Sequence, residues 1–188
     1  MIAAAATEGD VLVKNIIPKH MESITNKLVQ AGVEVEEFDE SIRVRRDGPI
    51  CATTIKTMPH PGFPTDMQPQ FTAMLTLAGG TSVVTEGVWD NRFRYVDELA
   101  RMGANIQVDG KVAVVQGVET LTGAPVKATD LRAGAALMIA ALMAKGTTEI
   151  EDIYHIERGY EDVVEKFRSL GAPIKRVETP DLEIPAAL

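Results

Sequence analysis

Two short segments of the chain are built alike, Phe63-Pro-Thr-Asp-Met-Gln68 and Lys127-Ala-Thr-Asp-Leu-Arg132, and each precedes an apolar run. Thr65 or Asp66 and Thr129 or Asp130 are good N-cap residues, because a short side-chain oxygen can accept from the orphan amides of a first helical turn. Capping alone is the bland account of both aspartates, and local sequence favours it. Three arginines argue for more. Arg132 falls in the first turn of the most apolar helix, Arg92 follows Asn91 at the start of another, and Arg158 precedes Gly159-Tyr160 at the start of a third. A cation there opposes the helix dipole by about 0.3–1 kcal/mol each. The placement makes sense if an anion also binds, since helix N-termini and guanidinium forks both hold phosphates and carboxylates. Local pairing of Arg132 with Asp130, or of Arg158 with Glu157 or Glu161, explains any one arginine but explains all three poorly.

Other reactive side chains carry weaker signals. His60 and His155 could shuttle protons, but a lone histidine is more often structural or solvated. Cys51 has no adjacent base and reads as inert. Trp89 reads either as the cover of a ligand or as a core aromatic. No Walker, HExxH or GxGxxG pattern occurs, so neither a cofactor nor a metal has positive support.

The elements that must position these residues repeat along the chain. A helix ending in Leu-x-x-x-Gly appears at Leu28–Gly32 and Leu99–Gly103, and again at Phe167–Gly171 with Phe first. Upstream of each lies a small-residue helix end with its own glycine: Ala6-Thr-Glu-Gly9, Ala78-Gly-Gly80 and Ala144-Lys-Gly146. Glycine just past a helix end is free to take the left-handed conformation. Each copy therefore reads as buried helix, strand, amphipathic helix, then two strands. Strands are expected at 10–14, 33–35, 41–45, 81–86, 104–108, 111–116, 148–153 and 172–177. Buried helices are expected near 65–78 and 130–144. Amphipathic stripes come from Met21, Ile24 and Leu28, from Val96, Leu99 and Met102, and from Tyr160, Val163, Val164 and Phe167. A period near seventy residues is too long for a solenoid and predicts pseudo-threefold packing in one α/β domain over 1–178, with a tail at 179–188. The apolar opening Met1–Ala6 reads as the tail of a helix whose beginning is missing.

Bulk properties narrow the function. A length of 188 residues suits one domain with a sizeable core. The net charge of −8 argues against nucleic acid and anionic membrane as partners. A single cysteine excludes an internal disulfide and suits a cytoplasmic protein. Ala133–Ala144 is too short to span a bilayer.

The segment Thr57-Met-Pro-His-Pro-Gly-Phe-Pro-Thr-Asp-Met-Gln68 resembles the hallmark of the UDP-N-acetylglucosamine enolpyruvyl transferases. So do Glu86-Gly-Val-Trp-Asp-Asn-Arg-Phe93, Leu99-Ala-Arg-Met-Gly-Ala104, Ala128-Thr-Asp-Leu-Arg132 and Tyr154-His-Ile-Glu-Arg-Gly-Tyr160. The resemblance covers about Ala3 to Val177. It implies an inside-out α/β fold of three βαβαββ units, helices inside and sheets outside. It implies transfer of enolpyruvyl from phosphoenolpyruvate to the 3-hydroxyl of UDP-N-acetylglucosamine in peptidoglycan synthesis, and with it roles in cell shape and division. It implies that Asp66 contacts that hydroxyl as or beside its general base, and that Val88 holds the sugar nucleotide through its backbone. Arg92, Arg132 and Arg158 would bind phosphoenolpyruvate, and Asp130 would assist proton transfer. The family's N-terminal domain, with its lysine and mobile cysteine loop, has no counterpart here; that role is not carried to Cys51, and the chain alone is expected to be inactive. The alternatives are the shikimate-pathway sister, 3-phosphoshikimate 1-carboxyvinyltransferase, and a non-catalytic scaffold domain of the same fold.

Overall fold

Residues 1–178 are described by the computed structural model; the tail expected at 179–188 lies outside them. In chain order the elements are α1 (Ile2–Ala6), β1 (Asp10–Lys14), α2 (Glu22–Gln30), β2 (Glu34–Phe38) and β3 (Ser41–Arg45). Next come β4 (Thr54–Lys56), α3 (Gln68–Leu75), β5 (Thr81–Thr85), α4 (Val96–Arg101), β6 (Asn105–Asp109) and β7 (Val112–Gln116). The last are β8 (Pro125–Lys127), α5 (Leu131–Met143), β9 (Glu149–Glu151), α6 (Tyr154–Glu157) and α7 (Val163–Ser169).

The centre is helical. α1, α3 and α5 pack against one another, and every residue of α3 is buried. Such a helix has no polar stripe to show, and α5 carries none either: Ala133, Gly134 and Ala136 to Ala140 are all buried. Burying a side chain of the size of Phe71, Met74, Leu75 or Leu137 contributes about 1.5–3 kcal/mol. Thr72 and Thr76 enter this core because their hydroxyls bond back to the Gln68 and Ala73 carbonyls at 2.9 and 2.7 Å.

The sheets lie outside, in the orders β1-β3-β2, β4-β5-β7-β6 and β8-β9. The repeat expected from the sequence is visible residue by residue. Asp10 and Glu34 both pair with Arg45 in the first sheet; Thr81 and Asn105 both pair with Gln116 in the second. The offset is 71 residues throughout (10 to 81, 34 to 105, 45 to 116). Gly32, Gly103 and Gly171 all have positive φ, as a C-terminal helix glycine should. β4–β5 and β8–β9 are parallel pairs connected through α3 and α5.

Three expectations change, and one open alternative, for Trp89, closes. Residues 172–177 form no strand, so the third unit ends without its hairpin among the described residues. Pro173 cannot donate to a ladder there. Tyr160 lies outside α7, and Val163 and Phe167 pack on a small separate cluster around Ala128, Met138 and Ile156. In the first copy the left-handed residue is Glu8 (φ 55°), not Gly9. Trp89 is 59% exposed and is not a core aromatic.

Buried helices placed inside a domain must have their ends satisfied there. Below α1 the buried guanidinium of Arg46 donates to the carbonyls of Ala5, Ala6 and Gly48, with Glu8 3.7 Å away. At the matching place in the second unit stands Gly117, where a Cβ would overlap the Ala78 carbonyl oxygen, and the next amide, that of Val118, donates to the C-cap carbonyl of α3, Thr76 O, at 2.8 Å. Arg46→Met strands those carbonyls, so urea denaturation should show a loss of about 2–4 kcal/mol. Gly117→Ala should lose about 1–3 kcal/mol by forcing the backbone apart. A change under ~0.5 kcal/mol in both would contradict this account of the helix ends.

Candidate active site

The parallel pairs set the stage, because in open α/β arrangements the loops after the strand C-termini gather ligands. Thr57 follows β4, Glu86 follows β5, Asp130 follows β8, and α6 follows β9. A 3-10 turn, Thr65–Met67, leads into α3 and carries Asp66; Pro69 suits the first turn of the helix behind it. Since α3 and α5 pack together, their N-terminal turns meet. There the Asp66 carboxylate receives the Arg132 Nε–H, and the Arg92 guanidinium stands 3.9 Å from the same oxygen. Asp66 is thus shared by two arginines from different units.

The two aspartates part company. Asp130 is the N-cap of α5, accepting from the Arg132 and Ala133 amides at 2.8 and 3.0 Å. Asp66 caps nothing and is 58% exposed, turned to the arginines. Arg132 does sit in a first helical turn; its side chain bonds Asp66, and that hydrogen bond first, with the nearby charges of Asp66 and Asp130, raises its pKa. Arg92 does not begin a helix. It lies in the turn before α4, 12% exposed, with Nε donating to Thr65 Oγ1 at 3.2 Å and its guanidinium 5.8 Å from the Trp89 ring. Arg158 is the C-cap of α6, where a cation favours the dipole; it is exposed, and among the described residues it forms no ion pair. Glu157 pairs with Arg176 and Glu161 with Lys166 instead. The dipole argument therefore holds for Arg132 alone.

Among the described residues no hydrogen bond or ion pair joins Arg158 to Asp66, Arg92 or Arg132; only its neighbour Gly159 reaches the start of α5. α6 docks on α5 because Gly134 leaves room for Ile156, and Gly159 packs on the Leu131 side chain in the first turn of α5. Helix-interior glycine costs about 1 kcal/mol relative to alanine; here it allows the close approach. Val88 stands on the loop between Glu86 and Arg92. Its N–H is taken by Glu86 at 2.9 Å, so its backbone offers a ligand the carbonyl.

Glu86 was not legible as a site residue. It is 1% exposed and accepts four hydrogen bonds from Thr57, Thr65, Val88 and Trp89. Only its position, a charged residue ending a buried strand, hinted at a special role.

The remaining candidates lie elsewhere. Cys51 is exposed beside Gly32. His155 stacks on Tyr154 at 4.1 Å. His60 joins His20, Met21 and Met67 around an open, mainly apolar groove of about 380 Å³ that adjoins the Asp66 turn without including Asp66 or an arginine. The charged cluster, by contrast, has the donors an anion needs. Among the described residues no cluster of His, Cys, Asp and Glu is placed to hold a metal, and no helix is long and apolar enough to cross a membrane.

Residues 1–167 match the family described as EPSP synthase (3-phosphoshikimate 1-carboxyvinyltransferase). The chain belongs to this family of enolpyruvyl transferases. It is 59% identical over 177 residues to the UDP-N-acetylglucosamine 1-carboxyvinyltransferase 3 of Caldanaerobacter subterraneus subsp. tengcongensis, covering 94% of this chain and 42% of the relative. It is 56% identical to the UDP-N-acetylglucosamine 1-carboxyvinyltransferase of Desulfofundulus thermocisternus, covering 94% and 72%, and 55% identical to that of Clostridium botulinum, covering 94% and 42%. The chain thus spans less than half the length of two of these three relatives. Among solved structures, the enolpyruvyl transferase NikO from Streptomyces tendae matches with a TM-score of 0.83 at 28% identity, over 93% of this chain and 42% of that one. EPSP synthase from Acinetobacter baumannii shares the fold, with a TM-score of 0.74 at 19% identity over 95% and 45%.

Removing a cap and removing an exposed ion pair should differ. Asp130→Ala should lower stability by about 1–2 kcal/mol. Arg132→Ala should lower it by under about 1 kcal/mol, because its partner is more than half exposed and screened. Guanidinium denaturation of both variants checks the order; a larger loss for Arg132→Ala would make the Asp66–Arg132 contact a structural strut.

Proposed function

We propose that this chain supplies the phosphoenolpyruvate-binding and proton-transfer half of an enzyme that moves enolpyruvyl onto the 3-hydroxyl of UDP-N-acetylglucosamine. The carrying observation is Asp66 held between Arg92 and Arg132 where two buried helices meet. Phosphoenolpyruvate brings a carboxylate and a phosphate, and each guanidinium has five donors, of which Asp66 and Thr65 occupy a minority. An arriving anion competes with Asp66 for Arg132 and Arg92 and leaves the aspartate free to take the acceptor hydroxyl's proton. Oxygen then bonds to C2 of the enol as a proton adds at C3. Loss of a proton from C3 with rupture of the C2–phosphate bond releases phosphate and restores the double bond. Asp130 assists one of these transfers, Arg158 adds a third cation, and Val88 meets the sugar nucleotide through its backbone.

The UDP-sugar acceptor is preferred over a shikimate acceptor because the relatives at 55–59% identity carry the former name, whereas the solved EPSP synthase is 19% identical. A purely scaffolding role is disfavoured by a charged pair so exposed that solvent screening leaves it little to contribute to stability. In this reading residues 1–178 act as one domain, and the reaction serves peptidoglycan synthesis in the cytoplasm, with consequences for cell shape and division. The N-terminal domain of the longer relatives is the partner that closes the cleft; no cofactor, nucleic acid or membrane takes part.

Electrostatic stabilisation weakens where water competes, so the 188-residue chain alone should release no phosphate from phosphoenolpyruvate and UDP-N-acetylglucosamine. Sustained release above an Asp66→Ala control would overturn the half-site reading. Joined to the missing portion of a relative, the enzyme should turn over. Arg132→Ala should then raise KM for phosphoenolpyruvate at least about tenfold, roughly 1.4 kcal/mol, with little change in thermal midpoint. Equal losses in both would favour a structural ion pair.

A further inference from the structure

We propose that Glu86 is the positioning residue of this site, aiming Arg92 through the Thr65 hydroxyl and fixing the Val88–Trp89 loop through two backbone amides. The inference rests on the anion-binding role proposed for Arg92. Glu86 Oε1 accepts from Thr57 Oγ1 at 2.7 Å, from the Val88 amide at 2.9 Å and from the Trp89 amide at 3.1 Å. Oε2 accepts from Thr65 Oγ1 at 3.0 Å, and that hydroxyl accepts from Arg92 Nε at 3.2 Å. Thr57 Oγ1 closes the ring by accepting from the Gly87 amide at 2.8 Å. Donation runs one way, from guanidinium to hydroxyl to carboxylate.

A residue needed only to finish β5 would require its own loop's amides and nothing more. Glu86 instead ties together the end of β4, the turn before α3 that carries Asp66, and the arginine six positions downstream. A carboxylate is suited to this because both its oxygens only accept. In Glu86→Gln, one side of the group becomes a donor. If the NH₂ faces Thr65, the hydroxyl must accept from both the amide and Arg92, and its proton loses its acceptor. If the NH₂ faces the loop, it meets the Val88 and Trp89 amides head-on. Thr65→Val removes the relay alone and leaves the bonds to Thr57, Val88 and Trp89 in place.

Two measurements on the 188-residue chain test the clamp. In ¹⁵N spectra, the Arg92 Nε–H should exchange slowly with water. Exchange should quicken at least tenfold in Thr65→Val and measurably in Glu86→Gln, and return to within twofold in Thr65→Ser. Unchanged exchange in Thr65→Val and Glu86→Gln overturns the proposal, as does loss of folding in Thr65→Val, which would make the hydroxyl structural. The second measurement uses Trp89, the chain's single tryptophan, beside the Arg92 guanidinium. Titration with phosphoenolpyruvate should change its fluorescence, with affinity at least fivefold weaker in Thr65→Val and no response in Arg92→Ala. A response equal in wild type and Arg92→Ala overturns the anion-site reading. Affinity unchanged in Thr65→Val, with Arg92→Ala silent, overturns the clamp alone.

Discussion

Everything in this fold follows from placing α3 and α5 where water does not reach. Helices with no polar face can be stable only if enclosed, and enclosing them puts the sheets outside. It also puts helix ends, with their unpaired amides and carbonyls, inside or at the rim of the core. Three different devices meet them: the Arg46 guanidinium under α1, the Val118 amide on the Thr76 carbonyl at the end of α3, and the Asp130 carboxylate at the start of α5. The third lies at the rim, where the first turns of α3 and α5 touch. The same packing that hides the apolar faces therefore brings Asp66 to Arg132, residues 66 positions apart.

Periodicity and helix-end glycines carried most of the architecture. The two buried helices, the amphipathic stripes at 24–28 and 96–102, and seven strand positions could be read because each depends on local pattern. The exceptions are informative. Residues 172–177 have β-like composition, but composition cannot supply a partner strand, and no ladder forms there among the described residues. Tyr160 fits the helical period of its neighbours, yet Asp162, in the left-handed region at φ 44°, breaks the path before α7 begins.

At the site, the residue types were legible and their relations were not. Sequence singled out Asp66, Asp130 and the three arginines as candidates, of which Asp66, Arg92 and Arg132 meet in the structure; it assigned all three cations to helix starts, and only Arg132 is at one. Asp130 and Asp66 stand in matching motifs and do different work, because a β-extended residue precedes α5 directly whereas a 3-10 turn intervenes before α3. Glu86 escaped altogether. Its partners at 57 and 65 are remote in sequence, and a buried carboxylate is recognised by the donors around it.

The third unit is held more lightly than the other two. Its outer layer rests on a cluster with three buried members, Ala128, Met138 and Ile156, and α7 contributes no buried residue. Few buried contacts mean a low cost of local opening. The α6–α7 layer should therefore open at lower cost than the packed pair α3 and α5; Arg158 lies in that layer, and Asp66, Arg92 and Arg132 lie outside it. Two of the three cations thus stand on the well-packed part of the domain, and the third on its most lightly packed layer.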